Sequence, residues 1–215
     1  MATFDELQER TGIIVQDSSL TDLFPSFLNQ GVQEIAGGMQ STLGSWVTPP
    51  LPELLTIGTV TTIVDTPNVV MPATFQRTMN FAVSEDGNEL DIANSFLDFM
   101  ETYPLLDQDG RISEVVEQGG QLYYQGIPPS EEVITVHFYR LPVDMEDGED
   151  TPDGIPSHLQ IDLLTNFAAW KAFELIEDGL EGEAPNTEKY KNNFYVSLRT
   201  LELFIPVDTR IMYLR

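Results

Sequence analysis

Residues 155–179 read IPSHLQIDLLTNFAAWKAFELIEDG. Counted at 100° per residue, Leu159, Leu163, Phe167, Trp170 and Phe173 fall on one side of a helical wheel, and Ile161, Leu164, Ala168, Ala172 and Leu175 fall on another. A helix that is apolar on two sides is sandwiched between neighbours. The stretch therefore predicts a helical bundle, and the rest of the chain should supply its partners.

Two partners are visible. Upstream, Leu20, Phe24, Phe27, Leu28, Gly31, Val32 and Ile35 share one side of a wheel, with Pro25 tolerable only in the first turn, so a helix is expected to start near Thr21 or Asp22 and to end at Gly37-Gly38. Downstream, Asn186 or Thr187 is placed to cap a helix whose Tyr190, Phe194, Leu198, Leu201 and Ile205 span about 80°, with Pro206 as its stop. A shorter helix should begin at the capping box Thr3-Phe4-Asp5-Glu6 and stop near Gly12.

Between these helices the texture changes. TIGTVTTIVD, ATFQRTMNFAVS, NELDIA, ISEVVEQ, QLYYQ and EVITVHFYR are β-branched and aromatic runs separated by turn residues, with Asp86-Gly87 and Gly119-Gly120 as hairpin turns. Ser95 can cap one short helix among them. The acidic stretch PVDMEDGEDTPDGIP, residues 142–156, reads as a linker.

The expected fold class is α+β: a bundle of N-terminal and C-terminal helices with an inserted antiparallel β-sandwich or barrel module. The boundaries expected are 1–50 for the N-terminal helices, 51–145 for the β module, 146–206 for the C-terminal helices and 207–215 for a separate tail.

Composition narrows the function. Ten basic against 35 acidic residues give a net charge of −25, which repels nucleic-acid phosphates and argues against groove binding. A negative wall past which DNA slides without sticking is compatible with it. The chain has no cysteine, which removes disulfides, thiolate metal sites and thiol nucleophiles. MATFDELQER lacks the basic start and apolar centre of a signal peptide, and no run of about 18 apolar residues suggests a membrane span.

Catalytic patterns are sparse. His137 and His158 are the two histidines, and neither lies in a nucleophile elbow, a phosphate loop or a zinc-protease motif. Asp107-Gln108-Asp109-Gly110 and the acids from Asp144 to Asp153 lack the spacing of an EF-hand loop. Tyr123 and Tyr124 are adjacent in a strand and point to opposite faces, so they cannot form one sugar-stacking platform. Neither a metal nor a cofactor is expected.

The acids of 172–186, AFELIEDGLEGEAPN, need an explanation. Glu174, Glu177, Asp178, Glu181 and Glu183 gather where a helix ends, at the pole whose partial negative charge disfavours them. A glycosidase pair would need a cleft between them, and a di-iron site would need Glu-x-x-His motifs that are missing. A solvated helix end and a charged interface remain. Basic groups from Lys189, Lys191 or another subunit could compensate the cluster.

The order of these segments is similar to that of the head-to-tail adaptor (connector) proteins of tailed bacteriophages, particularly the short-tailed phage type. The resemblance rests on TFDELQERTGIIVQDSS with FLNQGVQEIAGG behind it, on LPELLTIGTVTT, MPATFQRTMNF, YPLLDQDGRISEVVEQGGQLYYQGIP and VHFYRLP, and on DTPDGIPSHLQIDLLTNFAAWKAFELIEDGLEGEAPNTEKY. WKAFELIEDGLEG followed by NTEKY is the most distinctive piece. A β module of this size departs from the smallest connectors, which are little more than helical bundles.

The resemblance implies a structural virion protein, not an enzyme. It implies assembly with itself as a ring, commonly of twelve copies, under the portal protein. That ring would extend the DNA channel and present a platform to downstream tail nozzle and tail fibre proteins. Synthesis in the host cytoplasm and residence at the head–tail interface of the virion follow. The apolar run Ile211, Met212, Tyr213 and Leu214, flanked by Arg210 and Arg215, is then expected to dock in the portal or in a neighbouring subunit. Packing of this tail on its own bundle is the competing expectation. The other functions considered are a tail-associated module whose β domain captures a fibre protein or a sugar, and an acid-dependent hydrolase.

Overall fold

The structure is a computed structural model that describes residues 1–39, 49–178 and 184–205. The fold is α+β. Its described residues divide into two compact units, one built from residues 1–54 and 141–205, the other from Leu55–Arg140. The second unit is thus inserted in sequence between the two parts of the first.

The first unit is helical. α1 (Phe4–Val15) starts at Thr3, whose hydroxyl accepts the Glu6 N–H at 3.3 Å. The Glu6 carboxylate pairs with Arg10 one turn on, at 2.9 Å. The helix runs one turn past Gly12, because Gln16 adopts a left-handed conformation and returns its N–H to the Gly12 carbonyl. A 3₁₀ turn at Ser18–Leu23 precedes α2 (Phe24–Gly37), which carries Pro25 in its first turn and ends at left-handed Gly38.

α4 (Gln160–Ile176) is the helix between neighbours. α1 and α2 pack on it, and so does α5 (Pro185–Phe204). Leu159, Leu163, Phe167, Trp170 and Phe173 are buried, as are Leu164, Ala168 and Ala172. Leu175, in the last turn, is exposed. Gly31 of α2 lets the backbone approach: a Cβ there would lie 2.9 Å from Phe167 Cδ1 and 3.2 Å from Leu164 Cδ2. On the α5 side, Phe194, Leu198 and Leu201 are fully buried, and Tyr190 stacks on Phe173 with centroids 5.3 Å apart.

Residues 142–156 contain no helix or strand, yet their backbone is held at many points. The Asn29 amide brackets Met145, accepting its N–H at 2.9 Å and donating to its carbonyl at 3.0 Å. Asp150 accepts the N–H groups of Glu146 and Asp147, both at 2.8 Å, which holds its carboxyl below the usual carboxylate range. Phe4 and Asp5 donate their N–H groups to Asp150 and Gly148, so the loop is bonded to the first turn of α1. The buried Gln160 amide donates to the carbonyls of Pro152 and Ile155 and accepts the N–H of Ala2. What reads as a linker by composition is therefore a fixed loop of the helical unit.

The second unit has two sheets. One has the order β1 (Leu55–Thr61), β7 (Val133–Arg140), β3 (Phe75–Val83). The other has the order β2 (Asn68–Val70), β6 (Gln121–Gln125), β5 (Glu114–Gln118), β4 (Asp91–Ile92). The pairings are antiparallel except β4 with β5, which is parallel. The sheets are not closed into a barrel. Both contribute to one core, with Ile134, Val136 and Phe138 from the first and Val115, Leu122 and Tyr124 from the second. Left-handed Gly119 and Gly120 form the turn between β5 and β6, and Ser95 caps α3 (Phe96–Thr102) by accepting the Asp98 N–H at 3.1 Å.

Candidate functional site

The acid cluster after α4 splits in the structure. Glu174 is exposed on the last full turn and pairs with Lys171 at 3.2 Å. Asp178 is exposed just past the helix. Glu177 is buried, and its carboxylate turns toward the next helix. Glu181 and Glu183 lie outside the described residues, as does the whole tail segment Arg210, Ile211, Met212, Tyr213, Leu214 and Arg215.

Glu177 explains why an acid stands at the unfavourable end of α4. One carboxylate oxygen accepts the Asn186 N–H at 3.1 Å and Asn186 Nδ2 at 2.9 Å; the other accepts the Thr187 N–H at 2.9 Å. These are first-turn N–H groups of α5, at the favourable pole for an anion. Burial alone would raise the Glu177 carboxyl, but the hydrogen bonds from Thr187 and Asn186 overcome it and hold the group below the usual glutamate range. The cap expected from Asn186 or Thr187 is thus supplied from nine residues upstream, while the residue at the N-cap is Ala184, which has no side-chain acceptor.

The lysines considered as counter-charges serve the aromatic core of the hairpin. Lys171 Nζ sits 4.3 Å from the Trp170 ring centroid, Lys191 Nζ 5.6 Å from the same ring, and Lys189 Nζ 4.8 Å from Tyr190. Trp170 in turn packs against Phe167 and Phe194. Among the described residues Lys171 alone of the three forms an ion pair with the cluster, through Glu174. The arrangement is an aromatic seam between α4 and α5, edged by cations and closed at its turn by Glu177.

The remaining candidates stand apart. His137 lies in β7 with its ring edge-on to Phe81 at 5.4 Å, and His158 meets Phe204 at 4.5 Å. Tyr124 is fully buried in the core, whereas Tyr123, on the opposite face of β6, packs its ring against Phe96 at 4.9 Å. Among the described residues no three His, Asp or Glu side chains converge as metal ligands would, and no helix is long and apolar enough to cross a membrane. Local motif reading misses Asn29, Gln33 and Gln160, three amides that hold the 142–156 loop, because Asn29 and Gln33 come from far along the chain and the Gln160 contacts follow no capping or turn motif.

What converges on the hairpin is a set of hydrogen bonds and ring contacts that fix two helices against each other. A family model described as SU10 adaptor protein matches residues 2–204, and the chain belongs to that family. It is a structural adaptor protein of a phage, a class that is not normally enzymatic, and its location is the virion. No curated protein matches the chain.

Proposed function

We propose that the protein forms a head-to-tail adaptor ring of twelve copies that binds the portal protein, extends the DNA channel and gives the tail nozzle and fibre proteins a platform. The family match over residues 2–204 carries this reading. The net charge of −25 supports it, because a wall of carboxylates lets a polyanion pass without retention. Glu174 and Asp178, both exposed at the α4 end of the hairpin, are candidates for that wall or for a neighbour's surface, with Glu181 and Glu183 beside them in sequence. Glu177 is committed to α5 and leaves this set.

Arg210, Ile211, Met212, Tyr213, Leu214 and Arg215 are proposed to dock in the portal or in the adjoining subunit, the apolar side chains filling a groove and the arginines making charge-assisted contacts. Deleting residues 207–215 tests it. The truncated protein should keep the thermal unfolding of the full chain and fail to bind purified portal rings. Binding at full strength would refute the docking role. The capture of a fibre protein or sugar by the β unit is the alternative, and retention of the isolated protein on a polysaccharide column would favour it.

A further inference from the structure

The inner side of α5 packs on α4; its outer side carries a pattern unlike the rest of the chain. Lys189, Asn192, Val196, Arg199 and Leu203 fall within about 80° of one another at 100° per residue, opposite the buried Phe194, Leu198 and Leu201. Val196 is 68% and Leu203 83% exposed, and Lys189 and Arg199 are exposed beside them. No carboxylate lies inside that arc, although the chain has 35; Glu188 and Glu202 flank it on one side. Neither Lys189 nor Arg199 forms an ion pair among the described residues.

A complementary surface exists on the same unit. α1 exposes Glu9 and, one turn on, Ile13, which is 64% exposed. Glu146, Asp147 and Glu149 are exposed in the loop that is bonded to the first turn of the same helix. α1 packs on α2 and α4, and α5 packs on α4, and among the described residues the outer faces of α1 and α5 are exposed. One face is basic and apolar; the other is apolar with acids in excess, its exposed Arg10 being paired with Glu6 at 2.9 Å. A head-to-tail ring requires two such unlike, matching faces on each copy.

We infer that the outer face of α5, through Lys189, Val196, Arg199 and Leu203, docks on the α1 face of the next copy of this chain, through Glu9, Ile13 and the loop acids. The inference rests on the ring reading above and names its subunit contact. Exposed branched side chains between two cations favour a protein surface over DNA, because they gain by leaving water.

The test is sedimentation of the full chain over a concentration series, alone and with purified portal rings, for the unaltered protein, Arg199→Glu, Glu9→Arg and the double variant. The unaltered protein should self-associate, each single reversal should weaken association at least tenfold, and the double variant should regain it. Val196→Asp with Leu203→Asp should abolish association while leaving the thermal unfolding unchanged, since both positions are solvent-exposed. Association of Arg199→Glu equal to that of the unaltered protein, or no recovery in the double variant, overturns the inference and leaves the ring reading standing. Loss of portal binding with self-association intact assigns the face to the portal and also overturns it. An unaltered protein that stays monomeric in both settings contradicts the ring reading itself.

Discussion

The Glu177 carboxylate accepts the Thr187 backbone N–H at 2.9 Å, so the end of one helix caps the start of the next. The pair fixes α4 against α5 at their shared turn, where helical propensity alone leaves both ends frayed. Glu177→Ala removes the acceptor for three donors, and the thermal midpoint should fall by roughly 3–8 °C, measured by far-ultraviolet circular dichroism. Glu177→Gln should recover only part of that loss, since one of its two polar ends is a donor facing donors.

The same residue sets a pH signature. Its folded value lies below the ordinary glutamate value of about 4.3, so its contribution is complete above that pH and is lost as pH falls through the folded value. The stability difference between the unaltered protein and Glu177→Gln should therefore be flat above about pH 5 and shrink at lower pH. A difference that grows on acidification would contradict the capping role.

Gly31→Ala sets two effects against each other. Alanine favours the helix by about 1 kcal/mol over glycine, but its Cβ would press on the buried Phe167 ring, which Phe194 and Trp170 hold in place, and overpacking of that kind costs about 1–3 kcal/mol. Packing should win, with a net loss of about 1 kcal/mol in urea unfolding; Gly31→Val should lose more.

Gly126 and Gly87 form a controlled comparison in the β unit. Both have positive φ, 84° and 78°, but a Cβ on Gly126 would collide with the Arg111 carbonyl oxygen, while one on Gly87 meets nothing within 4 Å. Gly87→Ala should cost about 1 kcal/mol, the backbone penalty alone. Gly126→Ala should leave the β unit open to limited proteolysis, because a backbone oxygen cannot swing aside.

Gln160→Glu probes the fixed loop. A carboxylate there would face the carbonyl oxygens of Pro152 and Ile155 in a buried site, so the variant should be less stable than the parent by about 2–4 kcal/mol near neutral pH. Burial beside two acceptors raises the folded value of such an acid. Its penalty should shrink as pH falls and the protonated acid regains a donor, a trend that denaturant unfolding between pH 4 and 8 would reveal.

The helices of the first unit were legible because their stripes repeat at 3.6 residues: Leu28, Val32 and Ile35 in α2, and Phe194, Leu198 and Leu201 in α5, are buried as the pattern requires. Contacts made across sequence were not legible. Glu177 caps a helix nine residues on, Gln160 reaches the N–H of Ala2, and β4 joins β5 in parallel, none of which any local motif encodes. Gly12 suggests an earlier end to α1 than the helix has, because glycine often stops helices; here the left-handed residue is Gln16. Of the candidate site, Glu174, Glu177 and Asp178 could be sorted only when their surroundings were known, since a solvated acid and a capping acid look alike in a string.

The proposed role is that of an adaptor ring on the portal. Electron cryomicroscopy of the protein mixed with purified portal rings tests it most directly. The expected result is a closed ring of identical copies coaxial with the portal, around a passage that admits duplex DNA. Portal particles carrying no ring, or single copies scattered off the axis, would contradict it.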